Sequence, residues 1–343
     1  MIPPQYLVTG GAGFIGSNFI LYLLKYHKEI RILNFDNLTY AGNLNNLTDV
    51  EKDPRYSFIK ADICDSKKIR TVFDRFQPDY VVNFAAESHV DRSILHPDIF
   101  VNSNVLGVQN LLQMSLEYSV KKYLQISTDE VYGSLGVKGT FTEENPLYPR
   151  SPYSASKAGA DLLTQAYFHT FNLPINITRC SNNYGPYQFP EKLIPLTILN
   201  CMRGKKIPVY GDGLNVRDWI HVDDHCSAVD LVLDKGVAGE TYNIGANNER
   251  SNIEIVKLII QILADLRPEL KISDDLISYV EDRKGHDWRY AINAEKIRKD
   301  LNWKPLIPFA KGLKNTIRWY LDNPKWLDLA VTKKISHISV ERG

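Results

Sequence analysis

The sequence predicts an α/β protein: a doubly wound parallel sheet followed by a smaller C-terminal α/β lobe. Short apolar strands alternate with helical stretches through the first half of the chain, the order that builds a parallel sheet with helices on both faces. A glycine-rich turn joins the first strand to the first helix, and an acidic residue closes the second strand about twenty residues later. After Arg179 the alternation stops at a polar, turn-rich stretch, which marks the start of a second unit.

Tyr6 to Thr9 reads as a short buried strand. Gly10, Gly11, Ala12, Gly13, Phe14, Ile15 and Gly16 follow, and then Phe19, Ile20, Leu23 and Leu24 recur with helical spacing. Glycine in such a turn lets backbone N–H groups approach a pyrophosphate at a helix N-terminus, as in Rossmann folds. The next strand, Ile30 to Phe35, ends in Asp36. A carboxylate there accepts hydrogen bonds from an adenosine ribose and repels a 2′-phosphate, so NAD is expected rather than NADP. Further strands are read at 57 to 63, 80 to 86, 123 to 128 and 175 to 179, with helices near 66 to 76, 98 to 119 and 152 to 171. Asp62-Ile63 and Phe84-Ala85-Ala86 end two of these strands, which makes them candidate neighbours of adenine and ribose; Asp62 equally suits a helix cap. Residues 1–180 form the expected NAD-binding domain, to which the chain returns at about 215–242 through Ile220 to Val222 and the helix after Asp223. The smaller lobe takes 181–214 and 243–330, and 331–343 is polar enough to be a loose tail.

Composition narrows the function classes. The 343 residues carry 41 Lys plus Arg against 40 Asp plus Glu, with no basic excess for a nucleic acid partner. Hydrophobic content of 44% supports a sizeable core. Cys64, Cys180, Cys201 and Cys226 lack C-x-x-C spacing, which speaks against a metal site or a disulfide scaffold. The apolar run from Phe14 to Leu24 is too short for a bilayer and has no basic leader. A cytoplasmic enzyme without a membrane or metal partner is expected.

Tyr153 and Lys157 lie one helical turn apart. Asp129 and Glu130 are adjacent at the end of a strand, and both can reach one substrate only if the chain turns there, which Gly133 makes feasible. Alone, a Tyr-x-x-x-Lys pair is an ordinary amphipathic contact; after a dinucleotide fingerprint it points to redox and acid/base chemistry.

Thr9 to Gly16, together with Tyr153-x-x-x-Lys157, resembles the extended short-chain dehydrogenase/reductase family of nucleotide-sugar enzymes. Asp36-Asn37-Leu38-Thr39-Tyr40-Ala41-Gly42-Asn43, Ser127 to Gly133, Arg179 to Pro186 and Arg283-Lys284-Gly285-His286-Asp287 narrow the resemblance to its 4,6-dehydratase branch, with dTDP-glucose as the implied substrate. Adjacent Asp and Glu at 129–130 are the most specific feature, because related epimerases and decarboxylases usually lack them. The resemblance covers residues 1 to 325 almost entirely; Asn37, Ser134 and Gln188 depart from it. It implies that Asn37, Thr39, Ser88 and Asn183 join the cofactor site. Ser88, Thr128, Asn182, Glu191, Lys192, Leu193, Arg217, Asn252, Arg283, His286 and Tyr290 would face the nucleotide sugar, the arginines suiting phosphate oxygens. It further implies a homodimer paired through the helices near 98 to 119 and 152 to 171. Leu111, Leu112, Met114 and Leu116 offer apolar surface for that pairing, and the same four residues suit packing on the sheet.

The chemistry follows from the residues. A tyrosine, with an ordinary pKa of about 10, becomes a base if the Lys157 ammonium and a cationic nicotinamide favour its phenolate. Tyr153 then takes a hydroxyl proton as hydride leaves C4 for NAD, with Thr128 positioning the oxygen. The C4 ketone acidifies C5, Glu130 removes that proton, and protonated Asp129 releases the C6 hydroxyl as water. Hydride returned to C6 restores the cofactor, which is expected to stay bound between turnovers.

Overall fold

The structure, a computed structural model, describes residues 3–283 and 285–341, with side chains as far as Thr332. The first strands in chain order are β1 (Gln5–Thr9), β2 (Arg31–Asp36), β3 (Tyr56–Lys60), β4 (Tyr80–Asn83), β5 (Lys122–Thr128) and β6 (Ile175–Cys180). There follow β7 (Asn182–Tyr184), β8 (Ile207–Tyr210), β9 (Val216–His221), β10 (Thr241–Ile244), β11 (Glu249–Ser251) and β12 (Ile277–Val280). The main sheet runs β10-β6-β5-β4-β1-β2-β3, and its strands are all parallel. Such strands are covered on both faces, and Leu7, Val8, Val81, Val82, Tyr123, Leu124, Ile175 and Ile177 are accordingly buried. The order reverses between β1 and β4, which opens a crevice at the carboxyl ends of those strands.

A buried polar ladder crosses that end of the sheet. Thr9 Oγ1 donates to Asn83 Oδ1 at 2.5 Å, and Asn83 Nδ2 donates to Gln125 Oε1 at 3.0 Å. These bonds tie β1 to β4 and β4 to β5, so a slip in register would leave buried polar atoms without partners.

The second unit packs β7, β9 and β11 as one small sheet and β8 with β12 as another. Helices Leu193–Met202, Asn252–Leu266 and Phe309–Asp322 enclose a second core that includes Ile198, Val256, Ile259, Leu313 and Ile317. The sequence reading returned the chain to the first unit at about 215–242. In the structure β9 belongs to the small sheet, and the return is made by helix Val222–Lys235, which packs with Phe19 and Ile20, and by β10. The reading also left 331–343 as a loose tail, whereas helix Pro324–Glu341 runs through most of it. Trp326, Leu327 and Ala330 are buried in the second core and anchor its first turns. Once nucleated, a helix extends at little cost. Residues 342–343 lie outside the described residues.

The single helix expected at 98 to 119 is broken into Pro97–Val101, a widened π turn at Asn102–Leu106, and Gly107–Glu117. Asn104, in the π turn, accepts from Glu87 N at 2.8 Å and donates to Glu87 O at 2.9 Å and Ser156 Oγ at 2.9 Å. A π turn of this kind re-aims side chains, and here it fixes the loop after β4 against the helix that carries Tyr153. Leu111, Leu112 and Met114 are buried against the sheet within one chain and offer no surface to a partner.

Asp161 and Arg179 form a buried ion pair, Nε to Oδ2 at 2.9 Å, and Arg179 Nη1 also donates to the Tyr132 hydroxyl at 2.9 Å. Removing one partner strands the other charge. Asp161→Ala is expected to lower unfolding free energy by about 3–5 kcal/mol in denaturant titration; a loss below about 1 kcal/mol would refute this role.

Candidate active site

One cavity of about 950 Å³ opens at the crevice between the units. Every site residue named from the sequence lines it, from Gly10 and Asp36 through Thr128 and Tyr153 to Arg217, Arg283 and Tyr290.

The cofactor end is shaped by backbone. Gly10 has φ +66°, and a Cβ there would stand 2.5 Å from the Ala85 backbone nitrogen. A Cβ at Gly16 would strike the Gly10 carbonyl oxygen, so close approach of two loops and a helix excludes side chains at both positions. Helix Phe14–Tyr26 begins there without a side-chain cap, leaving its first N–H groups toward the cavity. Asp36 accepts from Ala12 N at 2.9 Å and Leu38 N at 2.7 Å, so its carboxylate braces the glycine loop. Asp62 accepts from Cys64 N and from Asn37 Nδ2, both at 2.8 Å; the helix that follows is capped by Asp65, not by Asp62. Phe84, Ala85 and Ala86 follow β4 as loop, and with Thr39 and Ile63 they line the same end. This cradle fits a dinucleotide: it offers open N–H groups for pyrophosphate and a carboxylate for ribose.

Tyr153 and Lys157 sit on helix Pro152–Phe171, whose start is set by Pro152 and a capping box between Ser151 and Ser154. Both side chains are buried on one face. Lys157 Nζ donates to Ile126 O at 2.6 Å, and burial lowers its pKa. Burial, followed by the Glu130 charge, raises Tyr153 well above the ordinary tyrosine range, while the Thr128 hydroxyl pulls the other way. The net shift in the protein alone is therefore upward, opposite to the lowering expected from Lys157 and a cationic nicotinamide together. A cationic nicotinamide bound beside it would favour the phenolate.

β5 ends at Thr128, and Asp129–Tyr132 forms a 3₁₀ turn with Thr128 as its cap, accepting from Glu130 N at 3.3 Å. The turn lets Asp129 and Glu130 both reach the cavity. Burial, then Glu130 and Asp218, raise the Asp129 pKa well above the carboxylate range. Glu130 is raised by burial too, but Lys192, Arg217 and Arg283 pull it down. The two carboxyls thus differ in proton affinity, Asp129 holding its proton more tightly.

Cations from the lobe face them. Lys192 Nζ donates to Ser88 O at 2.9 Å, and Arg217 donates to Asp287 O at 2.9 Å while its guanidinium lies 4.3 Å from the Tyr290 ring centre. Arg283 stacks 4.5 Å from the Tyr210 ring and reaches Asp91 at 3.6 Å. His286 Nδ1 pairs with Asp282 Oδ1 at 2.6 Å. Asn183 Oδ1 pairs with His225 Nδ1 at 2.9 Å. Asn182 stands at the start of β7, Leu193 and Asn252 at the starts of two helices. Sequence reasoning missed a further cluster. Arg92 lies 4.3 Å from the Tyr40 ring centre and pairs with Glu87 at 3.0 Å, while Tyr40 donates to Glu191 Oε1 at 3.1 Å. Tyr40 lies within the motif at 36–43, and Glu87, His89 and Arg92 form a dense polar run; that run was the available signal. His89 is pushed down to about 4 by burial, then by Lys192.

The reversed parallel sheet, the glycine cradle and a buried Tyr-x-x-x-Lys pair at one cleft define a dinucleotide-binding enzyme of the short-chain dehydrogenase/reductase class. The chain belongs to the GDP-mannose 4,6-dehydratase family, whose model matches residues 7–316. It is 51% identical over 336 residues to the dTDP-glucose 4,6-dehydratase of Neisseria meningitidis serogroup B, covering 94% of each chain. The crystal structure of dTDP-glucose 4,6-dehydratase from Bacillus anthracis in complex with NAD superposes with a TM-score of 0.88 at 50% identity, over 95% of this chain and 99% of that one. The Streptomyces venezuelae dTDP-glucose 4,6-dehydratase, crystallised with NAD, gives 0.90 at 46% identity over the same shares.

Gly10→Ala is expected to weaken NAD binding by about fivefold or more in fluorescence titration, since the conformation alone costs about 1–3 kcal/mol; unchanged affinity would show the cradle is elsewhere. Asp129→Asn should stabilise the fold as pH rises. The raised carboxyl contributes its stability below the unfolded pKa of about 3.9 and loses it up to the folded pKa, at about 1.4 kcal/mol per pH unit. Denaturation midpoints that shift equally at pH 4 and pH 8 would contradict this.

Proposed function

We propose that this chain is an NAD-dependent dTDP-glucose 4,6-dehydratase, a hydro-lyase that converts dTDP-glucose to dTDP-4-keto-6-deoxyglucose. The observation that carries the reading is the 3₁₀ turn that brings Asp129 and Glu130 into the cavity lined by Tyr153. An epimerase working through the same tyrosine has no use for two further carboxyls of unequal proton affinity.

Bound at Gly10–Gly16 and Asp36, NAD supplies the site that accepts hydride from C4 and gives it back at C6. Tyr153 takes the C4 hydroxyl proton, and Thr128 holds that oxygen. Glu130, kept ionisable by Lys192 and Arg217, removes the C5 proton and later replaces it. Asp129, held protonated by burial and its acidic neighbours, gives its proton to the leaving C6 hydroxyl. Lys157, fixed to the Ile126 carbonyl, holds the ribose and the helix face on which Tyr153 stands. Arg217, Arg283 and Lys192 bind the diphosphate, and Asn252, Leu193, His286 and Tyr290 enclose the rest of the nucleotide.

The enzyme works in the cytoplasm and feeds deoxysugar synthesis, such as that of rhamnose. No helix among the described residues is long and apolar enough to cross a membrane. Two copies pair through the broken helix and the Tyr153 helix, where Val101, Leu106 and Leu162 are exposed by 53, 47 and 62%.

Glu130→Gln is expected to complete C4 oxidation and stop before elimination, leaving the near-ultraviolet absorbance of reduced nicotinamide on the protein. Tyr153→Phe should show no such absorbance. Full turnover by the glutamine variant would remove Glu130 from the elimination step.

A further inference from the structure

The Ala12 backbone, at the centre of the glycine loop, is held at both of its polar groups. Its N–H donates to Asp36 Oδ2, and its carbonyl accepts from Asn43 N at 2.8 Å and from Asn46 Nδ2 at 3.1 Å. Asn46, only 2% exposed, is fixed in turn from far along the chain: Trp326 Nε1 donates to Asn46 Oδ1 at 2.8 Å. Trp326 belongs to helix Pro324–Glu341 and lines neither the cavity nor the crevice. A buried indole N–H ordinarily finds some acceptor. What distinguishes this one is that its acceptor is an amide whose other end grips the cofactor loop. The indole ring itself packs in an aromatic cluster with Tyr187, Trp319 and Tyr320, at centroid distances of 6.1, 5.1 and 6.1 Å.

We propose that Trp326 is a positioning residue for the dinucleotide: through Asn46 it sets the Ala12 carbonyl, and so the glycine loop, and it slows the release of NAD between turnovers. The inference rests on the cofactor reading above. The amide of Asn46 has one orientation that satisfies both neighbours, with oxygen to the indole and nitrogen to Ala12. Without the indole N–H that preference is lost, Asn46 Oδ1 is left buried without its donor, and the grip on Ala12 loosens.

The test is the rate at which bound NAD exchanges for isotope-labelled NAD, read by mass spectrometry. Trp326→Phe keeps the ring and deletes the donor; exchange should become about fivefold faster, which corresponds to about 1 kcal/mol. Trp319→Phe, in the same cluster without a bond to Asn46, should exchange at the wild-type rate. Asn46→Ala tests the link from its other end: it should accelerate exchange by itself, and adding Trp326→Phe to it should change nothing further. A wild-type exchange rate in Trp326→Phe, equal acceleration in Trp319→Phe, or a full Trp326→Phe effect in the Asn46→Ala background would each overturn the proposal. A merely structural tryptophan would lower the unfolding temperature and leave exchange unchanged. If the wild-type protein held no NAD, the cofactor reading itself would fail, a result separate from all of these.

Discussion

A strand sends neighbouring side chains to opposite faces, so two adjacent carboxyls can serve one substrate only where the strand stops. β5 stops at Thr128, whose hydroxyl caps the four-residue turn Asp129–Tyr132. That turn depends on Tyr132, whose ring stacks against Phe141 and whose hydroxyl joins Arg179 to Asn243. Arg179 is itself paired with Asp161 on the helix that carries Tyr153 and Lys157. One buried network therefore fixes the carboxylate turn relative to the tyrosine, as the proposed dehydration needs if those groups are to act on neighbouring carbons of one sugar.

Burial gives the turn its properties. It raises both carboxyls, and the placement of the lobe's cations divides them: Lys192, Arg217 and Arg283 all act on Glu130, while Asp129 feels Glu130 and Asp218 more strongly than Arg217. The same cations suit the diphosphate of a sugar nucleotide. The lobe thus places its cations beside a carboxyl that belongs to the other unit. Burial also holds the Tyr153 hydroxyl well above the ordinary tyrosine range in the protein alone, and a cationic cofactor beside it would pull the other way.

The parts of the fold governed by local pattern were legible in the sequence. Gly10 and Gly16 announced the tight turn because a Cβ at either would strike backbone, and Asp36 was placed by strand periodicity. Tyr153 and Lys157 followed from helical spacing, and the turn at Asp129 from the geometry two adjacent carboxyls need. What stayed hidden depends on distant partners. Asn104 widens a helix because Glu87 and Ser156 meet it from two other elements. β9 reads as a strand of the main sheet until β7 and β11 claim it. The last helix looks like a polar tail until Trp326 is seen buried against residues far upstream. Arg92, Glu87 and Tyr40 form a cluster whose members are unremarkable apart, and only the folded chain brings Glu191 to them.

The central claim is that one chain, carrying its own NAD, oxidises C4 in order to remove water across C5 and C6. The direct measurement is to incubate the purified protein with dTDP-glucose in deuterium oxide, with no cofactor added, and to follow the sugar nucleotide by mass spectrometry. The account predicts loss of one water together with gain of one solvent deuterium at C5. A product of unchanged formula with inverted C4, or unreacted dTDP-glucose, would contradict it.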